Sequence, residues 1–354
     1  MTAVMEYRYE CHEHEWMSDV VPCCKCMGRE PKPIKEPPMK LECKAPPLCI
    51  YHNNCADGFG AAWAVWKAFG GDVDLFAGTY GDDPPDVKGR DVVFVDFCYQ
   101  PEVMLALRFE ANSILILDHH KSAMEGMTPH LMKQSVGDDA DAIHPSDWNN
   151  HLTNAYQDQC ENIGTQIYGI FDMERSGAGI AWDFFHPDDP RPRLIDHIED
   201  RDLWNFAIGG TREIQAALFS YDYDLELWDY LMGLDLAGMK TLYAEGQSIE
   251  RKHHKDVAEL VNVCVRPMAI GGHQVQVASL PYTLTSDAGH LMAQDAKFAA
   301  CYWDTAEGRC FSLRSCEGEP RAMDVSLIAK EYGGGGHKNA AGFRVPRNHA
   351  LAKA

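Results

Sequence analysis

The chain has 354 residues, 45% of them apolar, with 32 lysines and arginines against 53 aspartates and glutamates and a formal charge of −21. That length exceeds one average domain and reads as two domains with a small extra piece. No stretch approaches the ~18 uninterrupted apolar residues of a membrane span, and the acidic balance argues against a protein that tracks long nucleic acid along its phosphates. Thirteen cysteines without a basic-then-apolar leader imply a reducing, cytoplasmic setting, with thiols or metal ligands in place of a disulfide framework.

In chain order, residues 1–30 stand apart. Cys11 and His14 lie at C-x-x-H spacing and Cys23 and Cys26 at C-x-x-C, which reads as a zinc ribbon holding one structural Zn²⁺, with His12 or Cys24 as substitute ligands. Four protein ligands leave no open position, so its expected role is structural or the docking of a protein partner. Residues 31–47 form a proline-rich tether,. A first α/β domain is expected over 48–210. Its β-branched and aliphatic runs are Leu48–His52, Asp91–Asp96 and Ser113–Asp118,. Between them, Gly60–Phe69 and Pro101–Glu110 read as helices, the second opening on a proline,. Strand, helix, strand, helix, strand predicts a parallel sheet with right-handed crossovers.

Residues 122–162 are irregular and acidic, an insertion that reads either as a lid or as solvated surface. Residues 177–186 have helical spacing, with Trp182 as a packing residue. A helical linker is expected over 211–262, with His253 and His254 beside Lys252 and Lys255 on a solvated face,. Residues 263–354 alternate like a smaller α/β domain with a mixed sheet, and a small ligand would sit in the cleft between the domains,.

Each early strand delivers a metal-capable side chain at its exit: His52, then Asp96, then Asp118 followed by His119 and His120. Ligands of parallel α/β sheets bind at the carboxyl ends of the strands, so these residues and Asp57 are expected to converge. Oxygen-rich donors with some imidazole suit Mn²⁺, Mg²⁺ or Fe²⁺ better than a closed tetrahedral zinc site. A shared carboxylate fits a two-metal centre, in which cations about 3.5–4 Å apart activate water and clamp a phosphoryl group. Later in the chain, the glycines Gly333–Gly336 let backbone N–H groups approach an anion,. His337 adds a donor there and Arg314 a planar fork,.

Six ordered motifs carry a resemblance: His52–Ala62 (HNNCADGFGAA), Val92–Phe97 (VVFVDF), Leu115–Ala123 (LILDHHKSA), Ile198–Trp204 (IEDRDLW), Ser312–Gly318 (SLRSCEG) and Asp324–Val345 (DVSLIAKEYGGGGHKNAAGFRV). Over roughly residues 46–346 the chain resembles the DHH phosphoesterase superfamily, in the branch with a DHHA1 C-terminal domain that includes nanoRNases and cyclic-dinucleotide phosphodiesterases. The resemblance implies one metal on His52, the first acidic position of motif one, and Asp96. It implies a second on Asp57, Asp96, His119 and Asp200. Asp118 would orient an imidazole and His120 would contact the scissile phosphate, which makes Asp96, Asp118 and His120 the implied catalytic set. Arg314, Ser315, Gly334, Gly335, Gly336 and His337 would hold the substrate.

Cys55 stands where the family has its first aspartate. As a ligand it would shift preference toward Zn²⁺ or Fe²⁺; as a bystander it would leave that position to water. Asp202 fits the fourth motif as well as Asp200, which is favoured because it directly follows the apolar-patterned segment Leu194–Ile198. The expectation is a phosphoesterase with two divalent cations, Mn²⁺ first, with Fe²⁺, Co²⁺ or Zn²⁺ as alternatives. Its expected substrate is a short oligonucleotide or a linear or cyclic dinucleotide, with no long nucleic acid and no membrane as partner; self-association stays open. The alternatives are a phosphatase for 3′-phosphoadenosine 5′-phosphate, or a catalytically weak nucleotide-binding protein that docks a partner through the zinc ribbon.

Overall fold

The computed structural model describes residues 45–131, 133–136, 165, 167–316 and 318–353, and Pro46–Ala354 form one compact unit. The expected zinc ligands Cys11, His14, Cys23 and Cys26 and most of the 122–162 insertion lie outside the described residues.

Two continuous apolar runs dictate the centre of the first sheet, because a strand covered on both faces has no use for alternation. These are DVVFV and SILILD, and every residue of both is buried. The elements of this half are β1 (Leu48–His52), α1 (Ala56–Ala68), β2 (Asp74–Gly78), β3 (Asp91–Val95), α2 (Pro101–Leu107), β4 (Ser113–Asp118), α3 (Lys121–Met127), β5 (Lys133–Val136), β6 (Ile167–Phe171), α4 (Gly177–Phe185) and α5 (Arg193–Asp202). The sheet runs β2-β1-β3-β4-β6-β5 with every pairing parallel. The chain leaves β1 toward one edge for β2 and returns on its other side as β3, so the order reverses at β1 and β3. Such a reversal opens a crevice at the strand ends.

Register decides what lines that crevice. Tyr51 pairs with Val95 and Val95 with Leu117, so the next residues, His52, Asp96 and Asp118, leave the sheet side by side. The Asp96 N–H donates to the Leu117 carbonyl at 2.9 Å. Apolar clusters cover both faces of the sheet. In one, Trp182 stacks on Trp63 with centroids 5.4 Å apart, a packing role as its spacing predicts.

Three helices follow: α6 (Thr211–Leu218), α7 (Leu225–Met232) and α8 (Leu236–Cys264). Asp224 and Asp235 cap α7 and α8 by accepting from backbone N–H groups of their first turns,. At Gly246 of α8 a Cβ would lie 1.7 Å from the Glu213 carbonyl oxygen, so a glycine there lets α6 and α8 touch backbone to backbone,. The solvated face expected around His253 needs correction. His253 Nε2 lies 2.9 Å from an Asp287 carboxylate oxygen, because this turn of α8 packs on the segment that follows it and is not free.

The last segment holds β7 (Arg266–Ile270), β8 (His273–Ser279), α9 (Thr285–Ala293), β9 (Ala299–Asp304), β10 (Arg309–Arg314), α10 (Val325–Glu331), β11 (Gly335–Gly336), β12 (Ala340–Val345) and α11 (Ala350–Lys353). Its sheet order is β11-β12-β10-β9-β8-β7, mixed as expected, with β8 and β9 parallel and the other pairs antiparallel. Two contacts tie this segment to α3: Lys121 Nζ donates to Asp324 at 2.7 Å, and the Gly336 N–H donates to Ser122 Oγ at 3.1 Å. No helix among the described residues is long and apolar enough to cross a membrane.

Candidate metal centre

Asp96 is the hub. It sits one residue past β3 in the left-handed region, with φ 52°, a conformation that a non-glycine residue adopts at some expense. The turn aims its carboxylate back across the strand ends. One oxygen lies 3.1 Å from His119 Nε2 and 3.7 Å from His120 Nδ1, while the other lies 3.4 Å from His52 Nδ1. Asp96 is only 1% exposed, and Oδ2 has no hydrogen-bond partner among the described residues. A buried carboxylate oxygen left without a donor is expensive unless a cation takes it.

Asp57 reaches the same place from the first turn of α1. Its two oxygens accept from the Gly177 and Ala178 N–H groups at 2.6 and 2.9 Å, so the N-terminus of α4 holds the carboxylate. This close approach needs glycine: a Cβ at Gly177 would lie 2.4 Å from Asp96 Cβ and 2.9 Å from Asp57 Oδ2. His119 Nε2 is 3.6 Å from Asp57 and 3.4 Å from Asp202. Burial, with Asp96 and Asp202 close by, pushes the Asp57 carboxyl well above its usual range. Burial opposes charge on Asp96 too, yet His119 and His52 beside it hold its pKa well below the usual range. Crowded carboxylates with opposed shifts, around histidines, form a centre short of positive charge.

The His-His pair divides its work. Asp118 Oδ1 accepts from the His119 and His120 backbone N–H groups and lies 2.8 Å from His120 Nδ1. That contact orients the imidazole and leaves Nε2 without a partner among the described residues. Burial works against a charged His120, but Asp118 raises its pKa above the ordinary value. His337, after the glycines, brings its ring within 4.7 Å of His119 and 4.6 Å of His120, centroid to centroid, the latter pair stacked. Three potential ligand sets therefore overlap: His52/Asp96/His120, Asp57/Asp96/His119 and His119/His120/His337.

Two sequence expectations find different neighbours. Asp200 does not face the centre. Its carboxylate accepts from the Ala207 and Ile208 N–H groups and from Thr211 Oγ1, at 2.7, 3.0 and 2.6 Å, and so braces the loop after α5. Asp202 takes the place next to His119. The helical period separates the two: Asp202 continues the stripe of Ile195 and Ile198 at seven and four residues' spacing,. Ile198 lies against α1 near Gly60, and α1 carries Asp57. Cys55 is the N-cap of α1, makes no capping bond and belongs to none of the three sets. Burial and the nearby Asp96, Asp202 and Asp57 push its thiol well up.

At the end of β10, Arg314 Nη1 donates to Ser312 Oγ and the Leu313 carbonyl, and Nη2 donates to Ser286 Oγ at 2.8 Å. Ser315 is buried and its hydroxyl has no hydrogen-bond partner among the described residues. Gly335 and Gly336 form the short strand β11, and a Cβ on Gly334 would meet the Gly342 carbonyl at 2.0 Å. Sequence reasoning missed Ser122 and Gly177; neither stands out until the fold brings a partner to it.

No family model matches the chain. It is 26% identical over 320 residues to an uncharacterized protein of Acanthamoeba polyphaga mimivirus, a match that covers 84% of this chain and 66% of that protein, so the chain spans just under two thirds of that relative's length. Among solved structures it is similar to the DHH domain of a protein described as belonging to a family of ribosomal proteins, with 13% identity, a TM-score of 0.49, and 85% of this chain and 83% of that chain covered. The pGpG-specific phosphodiesterase PggH of Vibrio cholerae matches with 15% identity, a TM-score of 0.33 and coverage of 85% and 93%. RecJ of Thermus thermophilus in complex with Mn²⁺ matches with 14% identity, a TM-score of 0.43 and coverage of 86% and 50%.

Proposed function

We propose that the chain is a DHH-type, metal-dependent phosphoesterase acting on short nucleotide phosphodiesters. The observation that carries this is Asp96, shared by two ligand sets and left with a buried oxygen that accepts no hydrogen bond among the described residues. His52 and Asp96 would hold one cation, and Asp57, Asp96, His119 and Asp202 the other. An oxygen-rich set of this kind suits Mn²⁺ or Mg²⁺. When bound, the cations would lower the pKa of water and neutralise the phosphoryl oxygens.

The chain's own groups do the rest. Asp118 fixes His120 so that Nε2 can donate to a phosphoryl oxygen as charge develops. The N-terminus of α4 keeps Asp57 aimed at His119. His337 closes the centre from the second domain and, neutral there because burial and the two neighbouring histidines hold its pKa well below normal, adds a further donor or acceptor. A substrate would reach the centre beside His337, and the net charge of −21 disfavours a long polyanion,.

The experiment offers purified protein with Mn²⁺ a set of substrates side by side: pApA, cyclic di-AMP, cyclic di-GMP, 3′-phosphoadenosine 5′-phosphate and a long single-stranded RNA. Mononucleotide from the dinucleotide, faster than any product from the long RNA, is the expected result. Release of phosphate from 3′-phosphoadenosine 5′-phosphate alone would favour the phosphatase reading. Ligand retention without turnover under Mn²⁺, Fe²⁺, Co²⁺ or Zn²⁺ would favour the binding protein, with Cys55 as the lesion.

A further inference from the structure

The first turn of α4 receives a second carboxylate besides Asp57. Its sequence, SGAG over Ser176–Gly179, is a poor helix start, since each glycine is unfavourable relative to alanine,. Each glycine also makes room for an acid. Gly177 admits Asp57 and Asp96, whereas Gly179 admits Glu199 of α5: a Cβ on Gly179 would lie 2.1 Å from Glu199 Oε2.

A helix begins with four backbone donors that have no partner inside it, and here all four are taken. The Ser176 N–H donates to Glu199 Oε2 at 2.9 Å. Those of Gly177 and Ala178 donate to Asp57, and that of Gly179 donates to Ser176 Oγ at 3.1 Å. Because both Asp57 oxygens are bonded to this turn, the carboxylate follows wherever the turn is placed. His119 Nε2, 3.6 Å from Asp57, depends on that placement.

Glu199 is itself clamped. Arg191 Nη1 donates to Glu199 Oε1 at 2.7 Å, and Arg191 Nη2 donates to Asp183 Oδ2 at 2.6 Å. Arg175, next to Ser176, donates to the same Asp183 oxygen at 2.9 Å and to Asp172 Oδ2 at 2.7 Å. Two arginines and three carboxylates therefore wrap the outside of the turn whose N–H groups hold Asp57. Glu199 belongs to none of the potential ligand sets among the described residues. At 19% and 22% exposure the Glu199 and Arg191 side chains are largely shielded, so their pair fixes a geometry better than an exposed ion pair does.

We propose that Glu199, clamped by Arg191, is a positioning residue for the metal centre. By holding the Ser176 N–H it sets the first turn of α4, and through the Gly177 and Ala178 N–H groups it sets the Asp57 carboxylate beside His119. This rests on the metal-centre reading above. Glu199 touches neither cation nor substrate; it acts through the helix end.

The test titrates the full, metal-free chain with Mn²⁺. Calorimetry counts the tight sites, and the spin-coupled EPR signal of adjacent Mn²⁺ ions reports the pair. Wild type is expected to take two ions. Glu199→Ala should weaken one ion by at least about 10-fold, the scale of losing an outer partner of a ligand, leave the other nearly unchanged and abolish the coupled signal. Glu199→Gln, which keeps an acceptor for Ser176 but loses the charge facing Arg191, should fall between. Gly179→Ala separates positioning from stability. Alanine is the better helix former, but its methyl would displace the Glu199 carboxylate, so one ion should weaken while Tm changes little. Asp235→Ala, which removes the cap of α8, is the converse control: Tm falls and both ions stay. Two tight ions in both Glu199→Ala and Gly179→Ala would overturn the proposal, as would equal weakening of the two ions. A wild type that binds no divalent cation would sink the metal-centre reading instead. Amide exchange at Gly177 and Ala178 in metal-free protein then decides the positioning role. Faster exchange there in Glu199→Ala than in Asp235→Ala supports it, and equal exchange overturns it.

Discussion

Asp202 places a carboxylate oxygen 3.4 Å from His119 Nε2, while Asp200, two residues earlier on the same helix, spends both of its oxygens on the loop that follows. One residue is therefore a candidate ligand and the other a brace. Asp202→Asn should lower kcat/KM by at least about 100-fold, with loss of bound metal and little change in Tm. Asp200→Asn should destabilise the fold by about 2–3 kcal/mol, because an amide nitrogen would face donors it cannot accept from. Turnover, metal content by elemental analysis and thermal melts on both variants check this. A reversed pattern would restore Asp200 as the ligand.

Gly177 is the narrowest point of the centre. Its Cβ position lies 2.4 Å from Asp96 Cβ, and its N–H donates to Asp57. Gly177→Ala should therefore separate the two carboxylates and cost about 1–3 kcal/mol of stability through overpacking. Gly209→Ala is the matched control, since a Cβ there would meet nothing within 4 Å. Thermal melts and Mn²⁺ titration of the two variants should diverge, and equal behaviour would refute the packing argument.

Much of this centre was legible in the sequence because the strand-end residues are local. A parallel sheet in register sends His52, Asp96 and Asp118 out together, and three apolar runs suffice to foresee it. β2 went unread because DLFAG is a partly exposed edge strand with no buried run to betray it. The choice of Asp200 over Asp202 rested on closeness to an apolar segment, a weaker guide to the neighbour of His119 than position on the helical stripe, and the stripe through Ile195 and Ile198 points to Asp202. Gly177, Ser122 and the His253–Asp287 contact are long-range pairings. No local pattern encodes them, so they needed the fold.

Cys55 caps α1 with no side-chain hydrogen bond and stands apart from the three ligand sets. Cys55→Ala should thus leave Mn²⁺ binding and turnover close to wild type and shift stability by within about 0.5 kcal/mol. A large loss of metal on this substitution would show that the thiol ligates once cations bind, and would move the metal preference toward Zn²⁺ or Fe²⁺.

The contact between α8 and α9 should make stability depend on pH. His253 donates to Asp287, and this bond, with burial opposing and Glu250 assisting, raises the His253 pKa above its usual value; Arg201 works the other way. His253 thus holds its proton more tightly folded than unfolded. Its contribution is complete below the unfolded value of ~6.5 and fades as pH rises through the higher folded value. Asp287, held far below its usual range despite its burial by His253, Arg201 and Arg212, stays charged throughout that interval and adds no slope of its own. His253→Gln, which keeps a donor but cannot titrate, should cost about 1 kcal/mol near pH 6, a figure discounted because the ring is partly exposed. The gap in Tm between wild type and variant should narrow as pH rises through the raised folded value of His253, beyond which both present a neutral donor to Asp287,. A gap that stays constant across this range would mean that His253 is neutral in the folded protein and that the contact carries no charge.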